Sequence, residues 1–260
     1  MTRITHPLVG KRIVITRPAA QSSALVEMLR EVGAIPLMFP TIQIAPIPDN
    51  EGLDSALKQV RDYEWVIFTS VNGVKIALDR MAALGLLRSA FDSCQIAVIG
   101  PATAAALSTY GLHAALQPDK YVAEAIVESL IALGSMAGKR FLLLRADIAR
   151  ATLREQLVAY GAIVDEIPVY QTVRGNPDPA AYADLRAGVD VLTFTSSSTV
   201  RYFFELLGSE ALTIAREATI ACIGPITAHT ARDLGLHVDL VADDYTIPGL
   251  VAALEEKLQL

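Results

Sequence analysis

Two arginines directly follow apolar runs: Arg17 in Ile15-Thr16-Arg17-Pro18 and Arg145 in Leu144-Arg145-Ala146-Asp147. Two further apolar runs end in small polar residues, Thr69-Ser70-Val71-Asn72-Gly73 and Thr195-Ser196-Ser197-Ser198-Thr199. Two more end in glycine and proline, Gly100-Pro101-Ala102-Thr103 and Gly224-Pro225-Ile226-Thr227. Such junctions mark strands passing into helices, with the hydroxyl residues as N-caps. Helix starts leave backbone N–H groups without intrahelical partners and carry the positive end of the helix dipole, so they hold anions. The chemistry this pattern suits is a grip on several carboxylates. Arg17 and Arg145 supply charge, and Thr69, Ser70, Asn72, Thr103, Ser196, Ser197 and Ser198 supply neutral donors. Each hydroxyl residue also has a plainer reading as an ordinary cap. Tyr170, in Ile167-Pro168-Val169-Tyr170-Gln171-Thr172, can donate a proton if its hydroxyl is wet; its plainer reading is a packing aromatic at a hinge.

Other familiar chemistries find no support. No Gly-x-Gly-x-x-Gly follows a strand-like run, which disfavours a dinucleotide fold. Gly134-Ser135-Met136-Ala137-Gly138-Lys139 is one residue short of a phosphate loop, and Lys139 leads into a strand, so it reads as a helix end and turn. His229 and His237 lack companion ligands for a metal, and no Ser-His-Asp arrangement is indicated. Cys94 and Cys222 form no CxxC pair and sit in or beside apolar runs, as buried thiols in a reducing compartment would. The expectation is therefore a site with neither metal nor cofactor.

The chain has 260 residues, 52% of them hydrophobic and 19% charged, with a formal net charge of −6. This suits a globular α/β protein and argues against disorder and against non-specific nucleic-acid binding. An anionic ligand must then be held by local donors, not by the global field. Ser93 to Pro118 lacks Asp, Glu, Lys and Arg, but Gly100-Pro101 and Gly111 break it into strand, turn, helix and strand, not a membrane span. Met1 to Pro7 has no apolar core of a signal peptide, which leads us to expect a cytoplasmic protein.

The chain repeats itself. Lys11-Arg12-Ile13-Val14-Ile15-Thr16-Arg17 resembles Lys139-Arg140-Phe141-Leu142-Leu143-Leu144-Arg145, and Gly33-Ala34-Ile35 matches Gly161-Ala162-Ile163, each 128 positions on. Phe68-Thr69-Ser70 matches Phe194-Thr195-Ser196 at 126. Ile99-Gly100-Pro101 matches Ile223-Gly224-Pro225, Gly111-Leu112-His113 matches Gly235-Leu236-His237, and Tyr121 matches Tyr245, all at 124. A period this long implies two similar domains, not a solenoid. Short β-rich runs alternate with helical stretches throughout, as βαβ units do, and the strands are continuously apolar, as when helices cover both faces. Each domain is expected to be a doubly wound parallel sheet, with ligands outside the carboxyl ends of the strands. Ile35–Pro48 and Ile163–Val173 interrupt the rhythm. They read as two connectors able to pair as a ladder.

Ile15-Thr16-Arg17-Pro18, Phe68-Thr69-Ser70, Pro168-Val169-Tyr170-Gln171-Thr172, Phe194-Thr195-Ser196 and Ile223-Gly224-Pro225-Ile226-Thr227-Ala228, in this order, resemble the uroporphyrinogen-III synthase family from Ile13 to about Leu254. The resemblance implies an α/β fold of two domains joined by a two-stranded β-ladder hinge. One domain is discontinuous, 1–37 with 173–260; the other is 44–164, with connecting strands 38–43 and 165–172. It implies a monomeric, cytoplasmic hydro-lyase of haem-type porphyrin biosynthesis whose substrate, hydroxymethylbilane, lies in a cleft gated by domain closure. Loss of the terminal hydroxyl gives an azafulvene, which is attacked at the substituted carbon of the far pyrrole. A spiro intermediate then fragments and recombines with the last ring inverted. Tyr170 and Thr227 match positions the family favours for catalysis, and the arginines and hydroxyl residues above are the candidate contacts for the substrate's carboxylates. No nucleic acid or membrane is implied; a transient contact with the preceding pathway enzyme is. Two rival readings remain: a non-enzymatic two-domain binding protein for an anionic ligand, and a nucleotide- or glycosyl-transferring enzyme, which would need a metal-binding acidic pair such as Asp243-Asp244.

Overall fold

The computed structural model describes residues 6–120, 123–148 and 151–259; Tyr121 lies outside them. The chain is mixed α/β and divides into two compact units, Met1–Gln43 with Val173–Leu260 and Ile44–Thr172. In chain order the strands are β1 (Arg12–Ile15), β2 (Ile35–Met38), β3 (Ile42–Pro46), β4 (Trp65–Phe68), β5 (Gln95–Val98), β6 (Arg140–Ala146), β7 (Ile163–Arg174), β8 (Val191–Phe194), β9 (Thr219–Cys222) and β10 (Leu240–Val241). The helices are α1 (Ser23–Glu31), α2 (Glu51–Lys58), α3 (Val71–Ala83), α4 (Pro101–Thr109), α5 (Ala123–Ala132), α6 (Thr152–Ala159), α7 (Pro179–Arg186), α8 (Ser197–Leu207), α9 (Glu210–Arg216), α10 (Pro225–Asp233) and α11 (Ile247–Leu258). No described helix is long and apolar enough to cross a membrane.

The first sheet runs β10-β9-β8-β1-β2 and the second β3-β7-β6-β4-β5. Strands β1, β4, β5, β6, β8 and β9 are apolar without alternation because side chains on both faces are buried. In the first sheet Val14, Leu192, Phe194, Ile220 and Cys222 pack with α7, α8, α9 and α10. Ile13, Ile15, Val191 and Ala221 point the other way, onto α1 and α11. In the second sheet Val66, Phe68, Ile96, Val98, Leu142 and Leu144 pack with α2, α3 and Leu107 of α4. Trp65, Ile67, Ala97, Phe141 and Leu143 face α5 and α6. Each fully buried Leu, Ile or Phe contributes about 1.5–3 kcal/mol, so these clusters fix which faces the helices cover.

The two ladders share one register. Arg12 pairs with Ile35 in the first sheet and Arg140 with Ile163 in the second, 128 residues on at both positions. Ile13 pairs with Val191, and Phe141 with Trp65. Trp65 pairs with Gln95, and Val191 with Thr219. Ala97 bridges Leu116, and Ala221 pairs with Leu240. Each sheet therefore draws strands from both halves of the chain. The opening strands of one half lie beside the later strands of the other.

The connectors behave differently. Ile163–Arg174 is one continuous strand with a register irregularity opposite Arg145 and Ala146. Its counterpart is interrupted at Phe39-Pro40-Thr41 between β2 and β3. β3 lies beside β7 at the sheet edge, where the Ile47 N–H donates to the Val169 carbonyl at 3.4 Å. In the discontinuous unit the Gly175 N–H donates to the Thr41 carbonyl at 2.8 Å. A Cβ at Gly175 would collide with the backbone of Pro40, Thr41 and Ile42.

Candidate active site

In Ile44–Thr172 the chemistry gathers where β4 passes into α3. Ser70, in extended conformation, is the N-cap of α3, and its Oγ accepts the Gly73 N–H at 3.1 Å. The same Oγ lies 3.0 Å from the Tyr170 hydroxyl, in hydrogen bond. Tyr170 is largely buried on β7, so its phenol is held by packing on one side and by a helix cap on the other. Thr69 and Asn72 flank this cap, both partly exposed. Arg145, at the end of β6, is buried with its guanidinium 2.7 Å from the Glu166 carboxylate. Thr103 is buried in the first turn of α4.

In the discontinuous unit Ser196 is the N-cap of α8. Its Oγ accepts the Thr199 N–H while Thr199 Oγ1 accepts the Ser196 N–H, both at 3.3 Å, a reciprocal capping box. Ser196 Oγ also lies 2.9 Å from Ser198 Oγ. Ser197 Oγ donates to the Ile226 carbonyl at 3.4 Å and accepts from Thr230 Oγ1 at 2.7 Å, which ties the start of α8 to that of α10. Thr227 is buried in the first turn of α10. Arg17, just past β1, is partly buried, and burial pushes its pKa below the ordinary guanidinium value. Among the described residues no carboxylate or carbonyl accepts a hydrogen bond from it.

The six strand–helix junctions are not all capped alike. Only Ser70 and Ser196 cap through their hydroxyls, at α3 and α8. The starts of α4 and α10 are Gly100-Pro101 and Gly224-Pro225, with no side-chain cap. Proline at the first helical position removes one N–H that would otherwise need a partner. Thr103 and Thr227 thus sit inside the first turn, both largely buried. After β1, Ser22 Oγ turns back to the Pro18 carbonyl at 2.9 Å, and α6 begins at Ala151 without a side-chain cap. Uniform hydroxyl capping is corrected to two capped starts and two proline starts with recessed threonines.

Glu166 is the partner of Arg145 that sequence reading missed. Its signal was a charged pair, Asp165-Glu166, inside an otherwise apolar extended stretch. The Ser70–Tyr170 contact joins residues 100 apart in the chain, and no local pattern announces it. Tyr170 and Thr227 fall in different units. The two cysteines are buried and free, with burial pushing Cys94 up to about 11 and Cys222 up to about 12. Among the described residues no three His, Cys, Asp or Glu side chains gather where they could hold a metal ion.

A family model for uroporphyrinogen-III synthase HemD matches residues 23–252. The chain belongs to the uroporphyrinogen-III synthase family. A uroporphyrinogen-III synthase of Synechococcus elongatus is 36% identical over 96% of this chain and 97% of its own length. Among solved structures, a mutant uroporphyrinogen III synthase of the extremely thermophilic bacterium Thermus thermophilus superposes with a TM-score of 0.64 at 19% identity, covering 96% of this chain and 99% of that one. Uroporphyrinogen-III synthetase of Helicobacter pylori gives 0.63 at 16% identity, covering 95% and 99%. At these identities the structures establish the shared fold of the uroporphyrinogen-III synthase family. The family itself rests on the sequence matches.

Proposed function

We propose that this chain, an enzyme of porphyrin biosynthesis, is a hydro-lyase that closes hydroxymethylbilane to uroporphyrinogen III. The observation that carries the reading is the Tyr170 hydroxyl resting 3.0 Å from a helix-capping serine, in a chain whose family match spans residues 23–252. Ser70 Oγ already accepts the Gly73 N–H. In the reactive arrangement Ser70 donates its proton to the Tyr170 oxygen, which leaves the phenol proton for the substrate. The terminal hydroxyl takes that proton and leaves as water. The substituted carbon of the far pyrrole attacks the resulting azafulvene, and the spiro intermediate fragments and recombines with that ring inverted. The last proton lost from carbon returns to the phenolate, so the net change is loss of one water.

The linear substrate can close unaided to the type I isomer, so the protein's main task is geometry. In this reading Arg17, Thr69, Asn72, Thr103 and Ser196 to Ser198 are the candidate ligands of the carboxylates, and Thr227 is a second candidate catalytic hydroxyl. Arg145 joins them only when a substrate carboxylate displaces Glu166. Helix starts add about half a positive charge each without making the protein cationic.

Incubation of the protein with hydroxymethylbilane, with isomers resolved by chromatography, tests this. Type III product at a rate proportional to enzyme is expected. Type I product alone would leave a binding protein for an anionic ligand as the better reading.

A further inference from the structure

The discontinuous unit carries an exposed aromatic that neither the fold nor the proton-transfer chemistry requires. Tyr245, between β10 and α11, is 62% exposed. Its ring rests on the backbone of Gly224, where an added Cβ would touch the ring carbons at 3.4 Å. The segment holding it is closely hydrogen-bonded. The Thr246 N–H donates to the Asp244 carbonyl at 2.8 Å, and Thr246 Oγ1 donates to the Asp244 carboxylate at 2.9 Å while accepting the Gly249 N–H at 3.1 Å. Gly249 packs so closely on Asp244 that a side chain there would collide with its carbonyl oxygen. Ile226, two residues beyond Gly224, is 63% exposed. Its carbonyl takes the hydrogen bond from Ser197. Ile226 thus adjoins Ser197, and the Tyr245 ring covers the glycine two residues before it, all at the carboxyl end of the sheet.

We propose that Tyr245 and Ile226 form a shelf for one pyrrole ring of the substrate, with that ring's carboxylate side chains reaching the Ser196–Ser198 hydroxyls. The inference rests on the proposed synthase activity and adds a specificity-determining residue to it. A flat, electron-rich ring suits offset stacking on a phenol. The ring alone is needed, so the Tyr245 hydroxyl is dispensable. Because the shelf orients substrate and moves no proton, its loss shows in KM more than in kcat.

Steady-state kinetics with hydroxymethylbilane, combined with isomer analysis, tests the shelf. Tyr245→Ala is expected to raise KM roughly three- to tenfold and to increase the type I share as more substrate closes in solution. Tyr245→Phe, which keeps the ring, is expected to recover most of that loss. The thermal midpoint stays unchanged in both, since the side chain is exposed. A KM for Tyr245→Ala within about twofold of wild type, with wild type active, overturns the shelf alone. Equal impairment of Tyr245→Phe and Tyr245→Ala also overturns it, by assigning the effect to the hydroxyl. A wild-type protein that makes no type III product removes the synthase reading and the shelf together.

Discussion

The guanidinium of Arg145 lies 2.7 Å from the carboxylate of Glu166, and the corresponding arginine, Arg17, has no such partner among the described residues. Leu143 pairs with Glu166 in one ladder and Ile15 with Met38 in the other, so a thioether stands where the acid would be. Arg17 therefore keeps a partly desolvated charge with no protein acceptor among the described residues. One of two equivalent arginines is paired within its own unit, and the other has no such ion pair among the described residues.

Arg17→Ala is expected to raise KM roughly tenfold or more, the value of about 1.5–3 kcal/mol for a charge-assisted hydrogen bond. Its stability should stay within about 0.5 kcal/mol of wild type. Glu166→Ala should lose about 2 kcal/mol of stability by leaving Arg145 buried without its carboxylate. Denaturant titration of both variants, set beside their KM values, checks the division.

Tyr170→Phe removes the phenol proton and keeps the packing. Formation of the type III isomer should slow about 10²-fold, the ordinary contribution of a positioned general acid, with the denaturation midpoint nearly unchanged. Turnover at the wild-type rate would take Tyr170 out of the proton-donor role.

Ser70 and Ser196 are equivalent caps with different neighbours. Ser70→Ala and Ser196→Ala should each cost about 1 kcal/mol, as loss of an N-cap does. Only Ser70→Ala should depress kcat, because only Ser70 touches Tyr170. Ser196→Ala should act on KM. Equal kcat losses in the two variants would contradict the pairing.

The buried thiols predict an alkaline limit to stability. Cys94 and Cys222 start from a reference value of 9.0 and are raised to about 11 and about 12 by burial. The folded state thus holds these protons more tightly than the unfolded chain. This stabilisation is complete below about pH 9 and is lost as pH rises through about 11 and about 12. A thiol reagent at about pH 8, below both values, should label neither cysteine in the folded protein and both in denaturant. Rapid labelling of the folded protein would show that one of them is reachable.

Gly175→Ala places a methyl group against the Pro40 carbonyl and the Thr41 backbone. Backbone cannot swing aside as a side chain can, so the variant should be strongly destabilised or fail to accumulate folded. A thermal midpoint within a few degrees of wild type would show that this crossing relaxes.

Composition and local order were enough to make the strand–helix rhythm legible, because burial on both sheet faces demands continuous apolar runs and helix starts demand caps or proline. The offsets 128, 126 and 124 were also legible, and the ladder pairs carry the same offsets. Which half supplies which strand was not, since hydrophobic periodicity is the same whether a strand pairs within its own repeat or with the other. The donor residues could be named one by one, but their partners could not. Ser70 meets Tyr170 and Arg145 meets Glu166 only because β4, β6 and β7 are brought side by side. Sequence determined where hydroxyls and charges stand along the chain. Tertiary structure decided which of them satisfy each other, because hydrogen bonds depend on distances that the chain order does not contain.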